Sequence, residues 1–395
     1  MKRLPILFLA LCLLLTGCGW MDGNYHSVTP HRQLSGSNDS QVEIVENYLQ
    51  LRTALENMVS SGTESKVISV ADFQQDQLRN NMDMAVRHIK TTFPIGAWAV
   101  EEITYDVGTI GEVSAVAVEI LYRHERSEIQ RIRQVSDMEQ AKLLIGNALS
   151  SYDTGLVMLI EDYQALDIPQ MVEDYAEANP GNVMEIPEVT AQLYPSTGRV
   201  RVLDLKFSFQ SSRDSLRSMQ EVVQRIFDSA ALYVSRDAQD SQKLSQLYSF
   251  LMERFNDYQI KTSITPAYSL LNHGVGDSSA FAVVYAEMCQ RAGLECHVVV
   301  GTHNGDPWCW NIVLDEGYYY HVDLLACQAR GNFQPMTDEE MSDYVWDYSA
   351  YPVCTGRPPE EPTAPPTTPP EETTAPPETT VPDETTVPET TPEES

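Results

Sequence analysis

Positive charge is scarce in this 395-residue sequence: 26 Lys and Arg stand against 57 Asp and Glu, a formal net charge of -31. A chain of that sign repels phosphates, so nucleic acid and anionic wall polymers are excluded as electrostatic partners. A long apolar run is lacking as well. The stretch at 4–15 falls short of the about 20 residues that a spanning helix needs. Seven cysteines occur, none with the CxxC spacing of a zinc site, and neither a metal nor a cofactor is expected.

The two ends read as non-globular. Lys2 and Arg3, the apolar run and a small-residue segment ending at Cys18 make a signal peptide. Leu15-Thr16-Gly17-Cys18 resembles a bacterial lipobox, where cleavage precedes the cysteine and the new N-terminus is acylated. The alternative is an ordinary signal peptide or a membrane helix with an incidental cysteine. The lipobox implies a lipoprotein signal peptide over 1–17, lipid on Cys18, and a place on the extracytoplasmic face of the cell membrane. Several acyl chains would hold it there, since one chain binds only marginally. Residues 18–41, rich in Gly, Ser, Asn and His, read as a tether. Residues 357–395 are Pro, Thr and Glu with almost nothing to bury, so a disordered, extended tail is expected.

With Cys12 removed and Cys18 lipidated, Cys289, Cys296, Cys309, Cys327 and Cys354 remain, an odd count that leaves at least one free thiol. Cys289 falls inside a helical apolar pattern and reads as a buried thiol.

Between the ends, periodicity sets out two regions. In 42–236, Tyr48, Leu51, Leu55 and Met58 mark one amphipathic helix, and Leu78, Met82, Val86 and Ile89 a second. Strands follow at 98–105 and 113–122, then a helix over 127–149, a strand at 156–160 and a helix at 168–178. Strands at 189–194 and 200–209 and a helix at 216–234 complete the region. Hairpin followed by long helix thus occurs twice, which admits an internal duplication and predicts an α+β sandwich with helices on one face of an antiparallel sheet. No Gly-rich phosphate loop, metal cluster or nucleophile motif occurs there, so a structural or binding role is expected.

In 237–356 the pattern changes. ITPAYSLLNHGVGDSSAFAVVYAEMCQRAGLECHVVVG is followed by a hairpin, DPWCWNIVLDEGYYYHVD, with aromatic strands around a tight turn. These stretches resemble the bacterial transglutaminase-like family, whose core is papain-like and α+β. The resemblance places Ser278 where the family has its nucleophilic Cys, Trp308 where it has the catalytic His, and Asp323 where it has the orienting carboxylate.

The family's chemistry needs a thiolate made by a neighbouring imidazole, and a carboxylate that fixes the imidazole's tautomer. Of these groups only the carboxylate remains, because indole accepts no proton at neutral pH. No catalytic residue is therefore expected. Side chains alternate along a strand, so Cys309 points away from the face of Trp308 and is poorly placed to serve as nucleophile. His321 shares the face of Asp323 and is the one nearby imidazole that could substitute. Asp323 itself is expected to be satisfied by backbone N–H groups or by the Trp308 indole.

The sequence thus points to a non-catalytic binding or scaffold module, with a peptide, glycan or protein ligand at the envelope. Its competitors are an atypical hydrolase using Ser278, His321 and Asp323, and a plain spacer.

Overall fold

The computed structural model describes residues 42–253, 256–257 and 264–357. The expected signal peptide over 1–17, Cys18, the expected tether over 18–41 and the tail beyond Arg357 lie outside them. The described residues form a mixed α+β fold with three four-stranded sheets and a two-stranded ribbon.

The first sheet is built from β1 (Glu43–Ile44), β2 (Ser65–Ser69), β3 (Val100–Ile110) and β4 (Val113–Tyr122), in the order β1-β2-β4-β3. Helices α1 (Tyr48–Ser61), α2 (Gln75–Thr91) and α3 (Pro94–Ala99) intervene. Local signals set the ends. Asn47 accepts from the backbone N–H of Gln50 at 3.0 Å to start α1, and Gly62, at φ 64°, stops it.

A short helix, α4 (Arg126–Ile129), leads to the second sheet: β5 (Arg133–Asp137), β6 (Gly155–Asp162), β7 (Glu188–Tyr194) and β8 (Arg201–Ser208), ordered β5-β6-β8-β7. Its helices are α5 (Met138–Ser150) and α6 (Ile168–Ala178). In both sheets the first pair of strands is parallel and the other pairs antiparallel. The same topology therefore occurs twice. The repeating unit is larger than the hairpin and helix read from sequence: a strand–helix–strand segment precedes each hairpin, and the sheets are mixed rather than antiparallel.

The helix expected over 127–149 is split. Asp137 ends β5 and caps α5 through the N–H of Gln140 at 3.0 Å, and the preceding residues pair in parallel with β6. The strand expected from 98 starts at Val100, because Pro94 opens α3 just before it.

Each sheet buries one face under its helices: Leu51, Leu55 and Met58 pack on Val116 and Val118 in the first, and Ile145, Leu149 and Val172 on Met158 and Leu203 in the second. The opposite face of the second sheet contributes Val202, with Val157 and Leu159, to the first core. There the Trp98 indole donates to Asp204 across the junction at 2.9 Å.

The last region comprises α7 (Arg213–Tyr233), α8 (Asp240–Met252), β9 (Asn256–Asp257), α9 (Pro266–His273), β10 (Val275–Gly276) and α10 (Ser278–Arg291). After them come β11 (Cys296–His303), β12 (Asp306–Asp315), β13 (Tyr318–Val322), α11 (Leu324–Arg330) and β14 (Tyr344–Trp346). The antiparallel order is β13-β12-β11-β14. Leu216, Val223 and Phe227 of α7 share a core with Leu244, Phe281 and Tyr285. The apolar face of α7, which precedes the 236/237 boundary drawn from sequence, packs in this core. Trp310, Ile312, Met336 and Trp346 build a smaller core on the sheet's other face. No helix among the described residues is long and apolar enough to cross a membrane.

Candidate active site

The start of α10 is fixed by Asp277, whose extended backbone and side chain cap the helix through the N–H of Ala280 at 3.0 Å. Ser278 is therefore the first helical residue, where orphan N–H groups and the helix dipole favour an anion. Its hydroxyl is nearly buried and accepts the backbone N–H of Cys309 at 3.2 Å. Helix and strand are tied further along by Asn311, whose side-chain amide donates to Ala282 O at 2.9 Å.

The hairpin holds the other two positions. Glu316 and Gly317, at φ 49° and 87°, make the two-residue turn with both φ values positive that suits antiparallel twist. This turn sets Ile312 opposite His321 and Asn311 opposite Val322. Asp323, 1% exposed, follows as the N-cap of α11. One carboxylate oxygen accepts the N–H of Ala326 at 3.0 Å; the other accepts the Trp308 indole N–H at 2.8 Å and the Tyr344 hydroxyl at 2.7 Å. Both partners named from sequence, a backbone N–H and the Trp308 indole, are present. Burial, and next the bond to Asp323, push the Tyr344 phenol well above its ordinary value and keep it a donor.

His321 is fully buried. The Trp310 indole donates to its Nδ1 at 2.9 Å, and its Nε2 lies 2.8 Å from Asp338 Oδ1. Indole only donates, so Nδ1 is bare and the proton sits on Nε2, pointing at Asp338. Burial lowers the pKa of this imidazole below 6.5 against the opposing pull of Asp338. Both ring nitrogens are thereby committed, and neither bonds Ser278. The structure brings Trp308 to Asp323; it does not bring His321 to Ser278.

Cys309 faces the α10 side of the sheet, as strand alternation requires, beside Ser279 and near Glu177. Burial is the main cause that pushes its thiol up, which disfavours the thiolate that a nucleophile needs. Between Ser278, Phe281, Asn311, Asp323 and Leu324 the packing leaves no room for a water molecule.

A possible ligand set for a metal exists beside this hairpin: His321 Nε2, an Asp338 oxygen and Cys354 Sγ lie within 4.8 Å of one another. A metal on Nε2 would need the ring proton moved to Nδ1, into the face of the Trp310 N–H donor. The indole therefore opposes coordination, and the three groups form a hydrogen-bonded cluster in which Asp338 also accepts the N–H of Cys354 at 3.2 Å. All five cysteines of the described residues are free thiols, with Cys289 fully buried.

Tyr344, Asp338 and the Trp310–His321 bond were not anticipated. The capping box from Thr337 to Glu340 was readable in the sequence. Its register against the hairpin was not.

No curated protein matches the chain. Among solved structures it is similar to a TGase at 9% identity and a TM-score of 0.25, covering 52% of this chain and 61% of that one. It is also similar to a candidate protease from Parabacteroides distasonis at 8% identity and a TM-score of 0.22, covering 53% of this chain and 45% of that one. The chain thus spans less than two thirds of either structure's length. The family model of the transglutaminase-like superfamily matches residues 228–324, from the end of α7 to the start of α11. The chain therefore carries a transglutaminase-like domain.

Proposed function

We propose that this protein is a lipid-anchored, extracytoplasmic binding or scaffold protein whose transglutaminase-like domain does no chemistry. The observation that carries the reading is the hydrogen bond from Trp308 to Asp323. In the family's arrangement that carboxylate orients an imidazole; here it holds an indole, which accepts no proton. Two further facts support it: His321 has both nitrogens engaged elsewhere, and the pocket that Ser278 and Asp323 help to line has no room for a water molecule. In a Ser-His-Asp enzyme, loss of the nucleophile or of the base alone costs about a millionfold in turnover. Both are replaced here. The membrane location rests on the sequence 15–18 and the acylation it implies.

The test is an assay for amine incorporation into a glutamine-bearing protein and for peptide hydrolysis, with the full chain beside Ser278→Ala. The expected result is a rate at the uncatalysed background for both proteins. Turnover by the full chain that disappears in Ser278→Ala would overturn the reading.

A further inference from the structure

Where the two like-folded units meet, the open end of the second sheet's outer face forms a cleft of about 680 Å³. This volume lies within the range of small-molecule sites, which favour such junctions. Its floor is β6 from Gly155 to Val157 and β8 from Asp204 to Lys206; its wall is the segment around Arg131 and Arg133. At one end Trp98, held by Asp204, stacks on His124 with ring centroids 3.9 Å apart.

The acids and the cations of the cleft differ in their partners. Three acids and three cations line it, but each acid is already engaged. Asp204 accepts the Trp98 N–H, Asp153 pairs with Arg213 at 3.0 Å, and Glu128 accepts its own helix's capping N–H from Glu125 at 2.9 Å. The side chains of Arg131, Arg133 and Lys206 are exposed and make no ion pair or hydrogen bond among the described residues. The matching face of the first sheet shows that this is not imposed by the topology: its hollow is lined by Glu64, Glu102 and Glu119, with no cation. In a chain of net charge -31, Arg131, Arg133 and Lys206 line one cleft with no carboxylate of the described residues in ion-pair distance, which leaves three cations for an incoming anion.

We propose that this cleft binds a small ligand bearing two or more oxyanion groups, phosphate or carboxylate. The two guanidinium forks suit bidentate contacts to such groups, and Lys206 supplies a point charge across the cleft. The repulsion of the remaining acidic surface is screened within about 8 Å at physiological salt, so short-range contacts decide the binding. The site lies in the first two units, apart from the transglutaminase-like domain.

The experiment is calorimetric titration of the full chain in detergent with inorganic pyrophosphate and, separately, citrate. Saturable binding of either is expected, pyrophosphate alone marking a phosphate site and citrate alone a carboxylate site. The double variant Arg131→Ala/Arg133→Ala should weaken it at least tenfold, and Lys206→Ala should weaken it as well. Lys142→Ala, on an exposed helix outside the cleft, should leave it unchanged. The cleft variants remove exposed side chains without internal partners, and Lys142→Ala removes only a surface pair with Glu139, so all should melt like the parent. Absence of saturable binding for both probes, or equal binding by the double variant, overturns the proposal.

Discussion

Asp323→Ala is expected to lower the unfolding free energy by about 3–5 kcal/mol, the range for removing one partner of a buried charged interaction. The side chain accepts three donors, from Trp308, Ala326 and Tyr344, and each is left facing a protein interior. A buried donor stripped of its acceptor costs about 1–3 kcal/mol. Relaxation and admitted water offset part of the sum. Asp323→Asn keeps one acceptor oxygen, but its NH2 meets donors, so a smaller loss of about 1–2 kcal/mol is expected. Urea unfolding of both variants measures this. A loss under about 0.5 kcal/mol for the Ala variant would mean that Asp323 is not the structural tie described, since it would then fall within the range of ordinary surface substitutions.

Trp310→Ala comes second, at about 3–5 kcal/mol for truncating a buried aromatic side chain. Trp310 is 1% exposed and packs edge-on against Trp346 and Tyr344 while donating to His321. Trp310→Phe separates the packing from the hydrogen bond, and pH then reports on the imidazole. The folded-state pKa of His321 is lowered by burial, so between 6.5 and that lower value the unfolded chain takes up a proton that the folded one refuses. Its contribution to stability is therefore present above about pH 6.5 and is lost as the pH falls through the folded value. In Trp310→Phe the Nδ1 lone pair faces no donor, the folded pKa rises towards 6.5, and the acid loss assigned to His321 becomes shallower. Unfolding curves at pH 7.5, 6 and 5 check the sign; an equal or steeper acid loss in the Phe variant would contradict it.

The elements legible in the sequence were those with a strong local code. The helix at 168–178 and the strand at 113–122 have the expected bounds, because periodicity and flanking breakers coincide there. The start of α10 at Ser278 and the hairpin around Glu316-Gly317 were also readable, from the cap at Asp277 and the turn residues. The edge strand Glu43–Ile44 and the strand Ser65–Ser69 were missed, since short strands flanked by helices carry too few residues to show a period of two. The single helix expected over 127–149 failed because strand β5 owes its shape to parallel pairing with β6, a partner more than twenty residues away.

At the site the same division holds. Ser278, Trp308 and Asp323 were placed by motif order, and the indole-to-carboxylate bond follows from two side chains on one face of a hairpin. The fate of His321 was not legible. Strand alternation puts it on the face of Asp323, yet it turns to Trp310 and to Asp338, and the latter comes from a segment whose docking no local pattern encodes. Tyr344 reaches Asp323 from β14, 21 residues on, for the same reason.

Ser278, with Cys309 N–H as its partner and Trp308 in the imidazole's place, is proposed not to act as a nucleophile. A serine-directed fluorophosphonate probe tests this on the folded full chain, with Ser278→Ala as the reference. No labelling of Ser278 is expected by peptide mass mapping, with equal background in both proteins. Stoichiometric labelling at Ser278 that vanishes in Ser278→Ala would contradict it.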